Sequence, residues 1–510
     1  MTPKENKENN NDGAFFLRAK PVDIQTGHPW EVIIHYEDGK TYDIRAGDEL
    51  TLKWGQKKTE VGVNISKNII KPGEIGLLQD ILDKFNIPEG AVVELKLAPL
   101  ASSLVCIQKK LVGRHLSYES IRAIISDIVN YHLDDVQIAF FVASAFMKNG
   151  FSNEEIYYMT KAMAETGEML HWDGIVADKH SIGGVPGNRT TPLVVSIISS
   201  LGIKIPKTSS RAITSEAGTA DVMEAVCAVE FNIPQIKEIV DQTNACLIWG
   251  GALKLAPADD RILKVSYELG IEPYSKIVTS IMAKKVAMGA THLVIDIPIG
   301  PGLKMHKMQE ALKMKNIFEY LAKKFNIKIN VVIEEILGPV GRGIGPALEI
   351  RDILRVLSQA DNRPLDLERR AVKLAGNLLE LTNKAKKGAG ETMAREQLKN
   401  GEALAQFRKI VAAQGGDGNL SESSIKIGEQ SYEVKSATSG IVKNIDNLKL
   451  IRLVRLLGSP ITKEGGVYLN KVLGEKVEVG ETLFTLYTTG EQRLTLTINE
   501  LAKNQPYLIV

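Results

Sequence analysis

Two short segments of this sequence concentrate residue types that bind anions. The first, Asp178–Thr191, reads DKHSIGGVPGNRTT and holds three glycines, a lysine, an arginine and several hydroxyl side chains. The second, Lys207–Asp221, reads KTSSRAITSEAGTAD and gathers serine and threonine hydroxyls around Arg211. Glycine loops that lead into a helix turn N–H groups toward an anion, and arginine binds phosphate through two parallel hydrogen bonds. We therefore expect these segments, named here the first loop and the second loop, to hold two anions and a sugar.

The same two loops also have a purely structural interpretation. A tight turn from a strand into a helix needs glycine for its backbone alone, and serine or threonine side chains cap helices and turns. His180 fits packing behind the first loop as well as contact with a substrate. The first loop lacks the Lys-Ser/Thr pair of a P-loop, and GPVGRGIGP at Gly338–Pro346 lacks the third glycine of the dinucleotide fingerprint.

Length and composition exclude several classes of protein. A chain of 510 residues with 44% hydrophobic and 24% charged residues is typical of a soluble protein with two to four domains. The net charge of +2 argues against a broad nucleic-acid surface. Cys106, Cys227 and Cys246 are widely spaced, which favours reduced thiols in the cytoplasm, and the chain lacks CxxC and HExxH, so we expect no metal. The polar start, residues 1–14, predicts a disordered tail without a signal peptide, and the apolar runs are too short to span a membrane.

The hydrophobic pattern changes along the chain. Short β-type runs in 15–100 predict a small β-rich domain, in which GEIGLLQDILDKFNI at 73–87 has helical spacing. Helical spacing follows, with a capping box predicted at Ser152 and Glu155. From Gly174 onward strands alternate with helices, which favours a mostly parallel, doubly wound sheet. The segment 425–510 is predicted to be β-rich, including RLTLTI near its end.

Four ordered motifs resemble one known family. They are DKHSIGGVPGN, SSRAITSEAGTAD, WGGALKLAPADD (Trp249–Asp260) and SIMAKKVAMGATHLVIDIPIG (Ser280–Gly300). Together they are similar to the thymidine/pyrimidine-nucleoside phosphorylase family, in its longer branch with the AMP phosphorylases and putative thymidine phosphorylases. The resemblance runs from about Phe16 to the end of the chain. It implies that inorganic phosphate displaces the base at C1′ through an oxocarbenium-like transition state, with no cofactor besides this phosphate substrate.

The resemblance also implies a multidomain α/β fold. Its parts are a disordered tail (1–14), an N-terminal β-rich domain (15–100), a helical domain (101–172 with 258–290), a doubly wound α/β phosphate-binding domain (173–257 and 291–420) and a C-terminal domain (425–510). The last part resembles the barrel-sandwich hybrid of biotinyl and lipoyl carriers. Because no carrier hairpin is visible around Lys449, we interpret this domain as structural.

The resemblance assigns roles to individual residues. Glu272 stands eight residues before Ser280, where the branch has the aspartate that protonates the leaving base, and burial would have to raise its pKa for that role. The implied phosphate-binding residues are Lys179, Ser181, Ser209 and Thr219. The implied nucleotide-binding residues are Gly184, Ser210, Arg211, Ala212, Ile213, Thr214, Ser215, Thr219, Ser280, Lys284 and Lys304.

Three functions remain open on the sequence. Arg211, Lys304 and the added N-terminal domain favour AMP, cleaved to adenine and ribose 1,5-bisphosphate. The lysine in DKHS and the glutamate at 272 favour thymidine, cleaved to thymine and 2-deoxyribose 1-phosphate. A non-catalytic nucleotide sensor would keep the same pocket without turnover. We expect a homodimer or larger homo-oligomer, and neither a nucleic acid nor a membrane as partner.

Overall fold

The computed structural model of the chain describes residues 13–24, 26, 30–98, 101–147, 149–212 and 215–510. Most of the predicted N-terminal tail, up to residue 12, lies outside the described residues. The chain forms two compact units, Met1–Lys109 with Asp127–Ile138, and Lys110–Ser126 with Ala139–Val510. The predicted multidomain α/β class is confirmed. No helix in the described ranges is long and apolar enough to cross a membrane.

A closed barrel forms the N-terminal part. Its elements are β1 (Phe15–Pro21), β2 (Glu31–His35), α1 (Tyr36–Tyr42), β3 (Glu49–Trp54), β4 (Lys57–Ser66), β5 (Glu74–Leu77), α2 (Gln79–Phe85) and β6 (Val92–Leu97). The strands close in the order β1-β5-β2-β4-β3-β6. The helical spacing expected over 73–87 is correct only for α2. Its first half is the strand β5, which lies between β1 and β2 and buries Ile75 and Leu77 in the barrel.

Four helices follow the barrel. They are α3 (Leu104–Leu111), α4 (Tyr118–Val129), α5 (Asp135–Ala143) and α6 (Asn153–Glu165). The predicted capping box of α6 is confirmed, since Ser152 Oγ accepts a hydrogen bond from Glu155 N and the Glu155 carboxylate accepts one from Ser152 N. The Glu155 carboxylate also holds the buried Lys110 ammonium, at 2.8 Å.

A parallel sheet carries the middle of the chain. Its elements are β7 (Ala177–Ser181), α7 (Thr190–Ser200), β8 (Ile205–Ser209), α8 (Thr219–Met223), α9 (Ile233–Thr243), β9 (Ala245–Trp249), α10 (Pro257–Glu268), α11 (Tyr274–Ala287), β10 (His292–Ile299), α12 (Met308–Lys324), β11 (Lys328–Glu335), β12 (Gly343–Ile344), α13 (Pro346–Leu357), α14 (Leu365–Leu381), α15 (Gly390–Lys399) and α16 (Glu402–Ala413). The strands pair as β11-β10-β7 and as β8-β9, all parallel, and a bridge from Val176 to Lys204 joins the two groups.

The sheet is covered by apolar helices. Every residue of β10 is buried, as expected of a strand inside a parallel sheet. The helix α7 is apolar and buried nearly all round, and it packs against α14 and α16. The helix α11 packs against α6, one of the four helices that follow the barrel. This later segment of the chain therefore belongs to the helical part of the fold.

The C-terminal part combines two small sheets with two helices. Its elements are β13 (Gln430–Lys435), β14 (Gly440–Ile445), α17 (Asn447–Leu456), β15 (Gly466–Leu469), β16 (Lys476–Val477), β17 (Thr482–Thr488), α18 (Glu491–Lys503) and β18 (Tyr507–Ile509). The sheet β12-β15-β17-β13 includes β12 from the middle of the chain. The prediction of a strand at RLTLTI is wrong, because these residues lie in α18, which buries Thr497 and Leu501 one helical turn apart.

Candidate active site

The two predicted loops begin at the same edge of the sheet. The strand β7 ends at Ser181 and the adjacent parallel strand β8 ends at Ser209. Carboxyl ends of parallel strands meet at one edge, where ligands of such sheets bind. Gly184 in the first loop has φ +89°, and a Cβ placed there would lie 3.2 Å from the backbone nitrogen of Lys304. The segment after β10 therefore contacts the first loop at this edge.

Lys179 is a buried cation without an acidic partner. Its side chain is 1% exposed, and Nζ donates to Thr190 Oγ1 at 2.9 Å and to Thr191 Oγ1 at 3.4 Å. Within the part of the chain that the structure describes, no carboxylate oxygen lies within 4.0 Å of this ammonium. Burial lowers the pKa of Lys179 to about 8, against a smaller opposing effect of Asp296.

The neighbouring lysines, in contrast, are paired with acids. Lys285 lies 2.7 Å and Lys207 3.7 Å from the buried carboxylate of Asp178. Burial lowers the pKa of Lys207 to about 7, with a further contribution from the charge of Lys285. Burial and the charges of these lysines hold the pKa of His180 well below its ordinary value, so its imidazole is neutral. Among the described lysines at this edge of the sheet, Lys207 and Lys285 thus share one acid, and Lys179 has no carboxylate within 4.0 Å.

Ser181 is oriented by a buried carboxylate that the sequence analysis missed. Its Oγ donates to Asp296 Oδ2 at 2.8 Å. Asp296 is fully buried on β10, and Arg370 on α14 donates to both of its oxygens at 3.1 Å. A lone acid inside the apolar strand HLVIDIPI was the available signal, because a buried carboxylate needs a partner.

Arg189 joins the first loop to the second. Its guanidinium is buried and donates to Thr219 Oγ1 at 3.3 Å and to Ala217 O at 3.1 Å. It also donates from Nε to Glu349 on α13, and Glu216 lies 3.7 Å away. Burial and the charge of Glu349 raise the pKa of Glu216 to about 7. Arg189 lies in the quoted first loop but was assigned no role there.

The second loop is shaped by an internal cap. Asp221 Oδ2 accepts from the backbone nitrogens of Ala212 and Gly218, both at 2.7 Å. A Cβ on Gly218 would lie 2.2 Å from Ser210 O, so only glycine allows this close approach. The predicted residues Ser209, Ser215 and Thr219 are half-buried here and Ser210 is exposed. Ile213 and Thr214 lie outside the described residues.

The C-terminal part supports the second loop directly. Ser459 Oγ donates to Glu216 O at 2.7 Å, and Arg455 donates to Ser215 O at 3.3 Å. Lys463 Nζ donates to Glu224 Oε2 at 2.7 Å. Sequence reasoning gave no sign of these contacts, which join residues about 240 positions apart.

Arg211 is fully engaged by acids. It binds both oxygens of Glu224, at 2.6 and 2.7 Å, and Glu230 at 2.9 Å. Hydrogen bonds from Arg211, with a contribution from Lys463, lower the pKa of Glu224 to about 2. Any anion that Arg211 binds must therefore displace a carboxylate.

Glu272 and Lys304 form an ion pair with each other. Lys304 Nζ donates to Glu272 Oε1 at 2.9 Å, and Lys276 Nζ lies 4.0 Å from the same oxygen. The side chains of Glu272 and Lys304 are 38% and 41% exposed. The burial that the proton-donor role requires is thus absent here, and the Glu272 carboxylate accepts a hydrogen bond from Lys304.

Ser280 and Lys284 are held together by Asp259, an acid to which the sequence analysis assigned no role. Asp259 is fully buried on α10, and its Oδ2 lies 2.6 Å from Ser280 Oγ and 2.6 Å from Lys284 Nζ. Its Oδ1 is buried without a hydrogen-bond donor among the described residues. The structure therefore presents the predicted base-contact residues on one face of α11.

Comparisons with known proteins cover nearly the whole chain. Family models match residues 105–167 as the helical bundle domain of a glycosyl transferase family, 173–404 as its a/b domain and 441–508 as a pyrimidine nucleoside phosphorylase C-terminal domain. The AMP phosphorylase of Methanocaldococcus jannaschii is 41% identical over 94% of this chain and 95% of its own length. That of Thermococcus kodakarensis is 42% identical over 96% and 97%.

This chain belongs to that phosphorylase family. The resemblance inferred from the two loops is confirmed, as is its placement in the long branch. An anthranilate phosphoribosyltransferase from Thermus thermophilus matches 61% of this chain and 99% of its own with TM-score 0.52 and 19% identity. That likeness supports the fold alone.

The predicted anion-binding cations of this chain are of two kinds, unpaired and paired. The residues predicted to hold inorganic phosphate lie together at the carboxyl edge of β7 and β8, and they include the unpaired Lys179. The two cations predicted to hold a 5′-phosphate, Arg211 and Lys304, are each paired with carboxylates.

Proposed function

We propose that this chain catalyses the phosphorolysis of AMP. Inorganic phosphate forms a bond to C1′ of the ribose, the N-glycosidic bond to adenine breaks, and the products are adenine and ribose 1,5-bisphosphate. The choice of AMP is supported by relatives that are named AMP phosphorylases and are 41% and 42% identical over at least 94% of this chain. The chain is accordingly a pentosyltransferase.

The observation that carries the phosphorolysis is the state of Lys179. A buried ammonium without a counter-ion is costly, and proteins pair such charges or bind an ion there. Phosphate at the ends of β7 and β8 would supply the missing negative charge. Ser181, Ser209 and Thr219 then provide hydroxyls around it, while Thr190 and Thr191 hold the lysine in place.

The bound phosphate acts in two ways in this proposal. It is oriented toward C1′, and orientation of two bound reactants contributes up to about 7–11 kcal/mol in favourable cases. Its negative charge also stabilises the positive sugar of the oxocarbenium-like transition state. Arg189 fixes the position of the second loop relative to the first, because it lies in the first loop and donates hydrogen bonds to Thr219 and Ala217 in the second.

The 5′-phosphate prepares the proton donor. Lys304 Nζ donates to Glu272 Oε1 at 2.9 Å. A 5′-phosphate dianion competes for Lys304, and its binding releases the Glu272 carboxylate, which takes up a proton from solvent and donates it to the leaving adenine. The contribution of such a proton transfer is about 10²–10⁴ in rate. A nucleoside without the 5′-phosphate leaves the ion pair intact, so this exchange also gives a physical reason for a preference for nucleotides.

A direct experiment measures base release from AMP, adenosine and thymidine, each with and without inorganic phosphate. We expect adenine release from AMP that requires phosphate, with ribose 1,5-bisphosphate as second product. Turnover of thymidine or adenosine in preference to AMP would refute the nucleotide proposal. Tight AMP binding without turnover in any condition would refute catalysis and identify a sensor.

A nucleoside phosphorylase is the second candidate, and one observation favours it. Arg211 is occupied by Glu224 and Glu230, so the second anion site is closed by the protein's own acids. A thymidine phosphorylase needs only the phosphate site at Lys179. The relatives named above favour AMP over this alternative.

We further propose a structural role for the C-terminal domain. In our proposal its two sheets form a barrel-sandwich-like arrangement. The helix α17 and the segment after it bring Arg455 and Ser459 to the second loop and Lys463 to Glu224, which is consistent with support of the site rather than with a carrier function. Lys449, the residue considered for a carrier, lies on the helix α17. The cytoplasmic location and the homo-oligomeric state remain proposals from the sequence and the family.

A further inference from the structure

A cavity lined by two arginines is formed by residues outside the two loops. It has a volume of about 130 Å³ and lies between α13 and the sheet of β15 and β17. Its lining residues come from four stretches of chain and are Leu348, Arg351, Arg355, Ile427, Tyr468 and Tyr487. None of them belongs to the first or second loop, so the cavity is separate from the candidate active site.

Arg351 brings an uncompensated charge to this cavity. Its Nε is buried and has no hydrogen-bond acceptor, and among the described residues no carboxylate lies within 4.0 Å of its guanidinium. Arg355, one helical turn further on, is compensated, since it binds Glu422 at 2.6 Å and Asp352 at 3.2 Å. A buried N–H without a protein acceptor is rare in folded proteins, and an anionic ligand would supply the acceptor.

The remaining polar groups of the cavity are also donors. Arg355 donates to the Tyr468 hydroxyl at 3.3 Å, which leaves the phenolic O–H of Tyr468 to donate to a ligand. Tyr487 adds a second phenol, while Leu348 and Ile427 give apolar walls. None of the described residues that line the cavity is acidic, and the nearby carboxylates of Asp352 and Glu422 are engaged by Arg355. The lining therefore favours a negatively charged ligand.

The volume restricts the size of that ligand. Pockets for nucleotides and other drug-sized molecules are larger, about 300–1,000 Å³. A tetrahedral oxyanion fits, and the planar fork of a guanidinium binds such an anion through two hydrogen bonds.

We propose that this cavity binds a small oxyanion of phosphate size, either free or as the terminal group of a phosphate ester. Arg351 supplies the charge, and the hydroxyls of Tyr468 and Tyr487 complete the donor set. The site is independent of the proposed reaction, because it shares no residue with the phosphate site at Lys179.

Equilibrium dialysis of the full chain with radiolabelled inorganic phosphate tests the proposal. We expect two phosphates per wild-type chain, of which Arg351→Met removes one and Lys179→Met the other. Arg369→Met removes the same charge from an exposed position on α14 and serves as control, with two phosphates retained. Because no carboxylate loses its partner, Arg351→Met should fold. Tyr487→Phe removes a single oxygen and should weaken the same site while leaving the other unchanged.

The affinity at the cavity should fall at least about tenfold in Arg351→Met, as expected for loss of a charge-assisted bidentate contact. Equal phosphate binding by wild type and Arg351→Met would overturn the proposal, as would a single phosphate in wild type that Lys179→Met abolishes. In the Lys179→Met protein, displacement of the label by ribose 5-phosphate would support a phosphate ester as occupant, and resistance to it would support inorganic phosphate.

Discussion

Replacing Lys179 by methionine should weaken phosphate binding and stabilise the protein at the same time. The ammonium donates one good hydrogen bond to Thr190 and a longer one to Thr191, which leaves its third proton for phosphate. A hydrogen bond between charged groups contributes about 1.5–3 kcal/mol, so the KM for phosphate should rise about 10- to 150-fold. Release of adenine from AMP at varied phosphate concentration measures this change.

The stability change follows from the pKa of Lys179. Burial lowers it from 10.5 to about 8, so between these pH values the unfolded chain keeps a proton that the folded protein has lost. Folding stability thus increases with pH across that window, and the full cost of the buried ammonium applies below about pH 8. At pH 7 this cost is about 3 kcal/mol at most, and Lys179→Met removes it. Urea unfolding at pH 7 and near pH 10.5 should show the stabilisation at the lower pH alone.

A control separates the site from general charge effects. Lys204→Met removes a lysine just before β8, at the opposite end of the strands, where its Nζ donates to Asp173 O at 3.3 Å. It should leave the KM for phosphate unchanged. If Lys179→Met destabilises the protein at pH 7 and leaves the KM for phosphate unchanged, Lys179 is a structural residue and the argument for a phosphate site at the first loop is wrong.

Three further changes test other parts of the site. Glu272→Gln should lower kcat for AMP about 10²–10⁴-fold in steady-state assays, because an amide cannot supply the proton, and an undiminished kcat would remove Glu272 from catalysis. Lys304→Met should raise the KM for AMP more than that for adenosine; equal losses would argue against contact with the 5′-phosphate. Arg189→Met leaves Glu216 and Glu349 buried without their cation, so urea unfolding should show a loss of about 3–5 kcal/mol, and a smaller loss in Arg189→Met/Glu349→Gln. Equal stability of Arg189→Met and wild type would contradict the buried network.

Local patterns in the sequence identified the elements whose spacing is unambiguous. The alternation of strands and helices predicted from Gly174 onward is found in the elements from β7 to α16. The residues RLTLTI alternate strictly but lie in α18, where Thr497 and Leu501 are the buried positions. Strict alternation over six residues was therefore a misleading sign of a strand, because the segment forms a helix that buries one face. The prediction for Glu74–Leu77 was wrong in the opposite sense. These residues have helical spacing but form a strand, because they pair with a barrel strand on each side.

The candidate site was predictable where chemistry and backbone lie in one segment. The first loop combines glycines, Lys179 and the start of α7 within fourteen residues, so it could be found from the sequence. The acids that contact the side chains of this loop could not be found from the sequence. Asp296 is 115 residues from Ser181, and Glu349 is 160 residues from Arg189. Such pairs depend on which strands become neighbours in the sheet, and a local pattern in one chain carries no information on that choice.

The pairing of the cations suggests an order of events at the site. In the proposed phosphate site the cation is buried and unpaired, so inorganic phosphate would bind without displacing any protein group. In the proposed nucleotide site, the nucleotide would instead have to displace Glu224 or Glu230 from Arg211 and Glu272 from Lys304. Each displaced carboxylate weakens nucleotide binding, but Glu272, once released, is free to take up a proton from solvent and to donate it to the leaving base. Binding energy of the 5′-phosphate is thus converted into catalysis, since an interaction far from C1′ prepares a group that acts in the transition state.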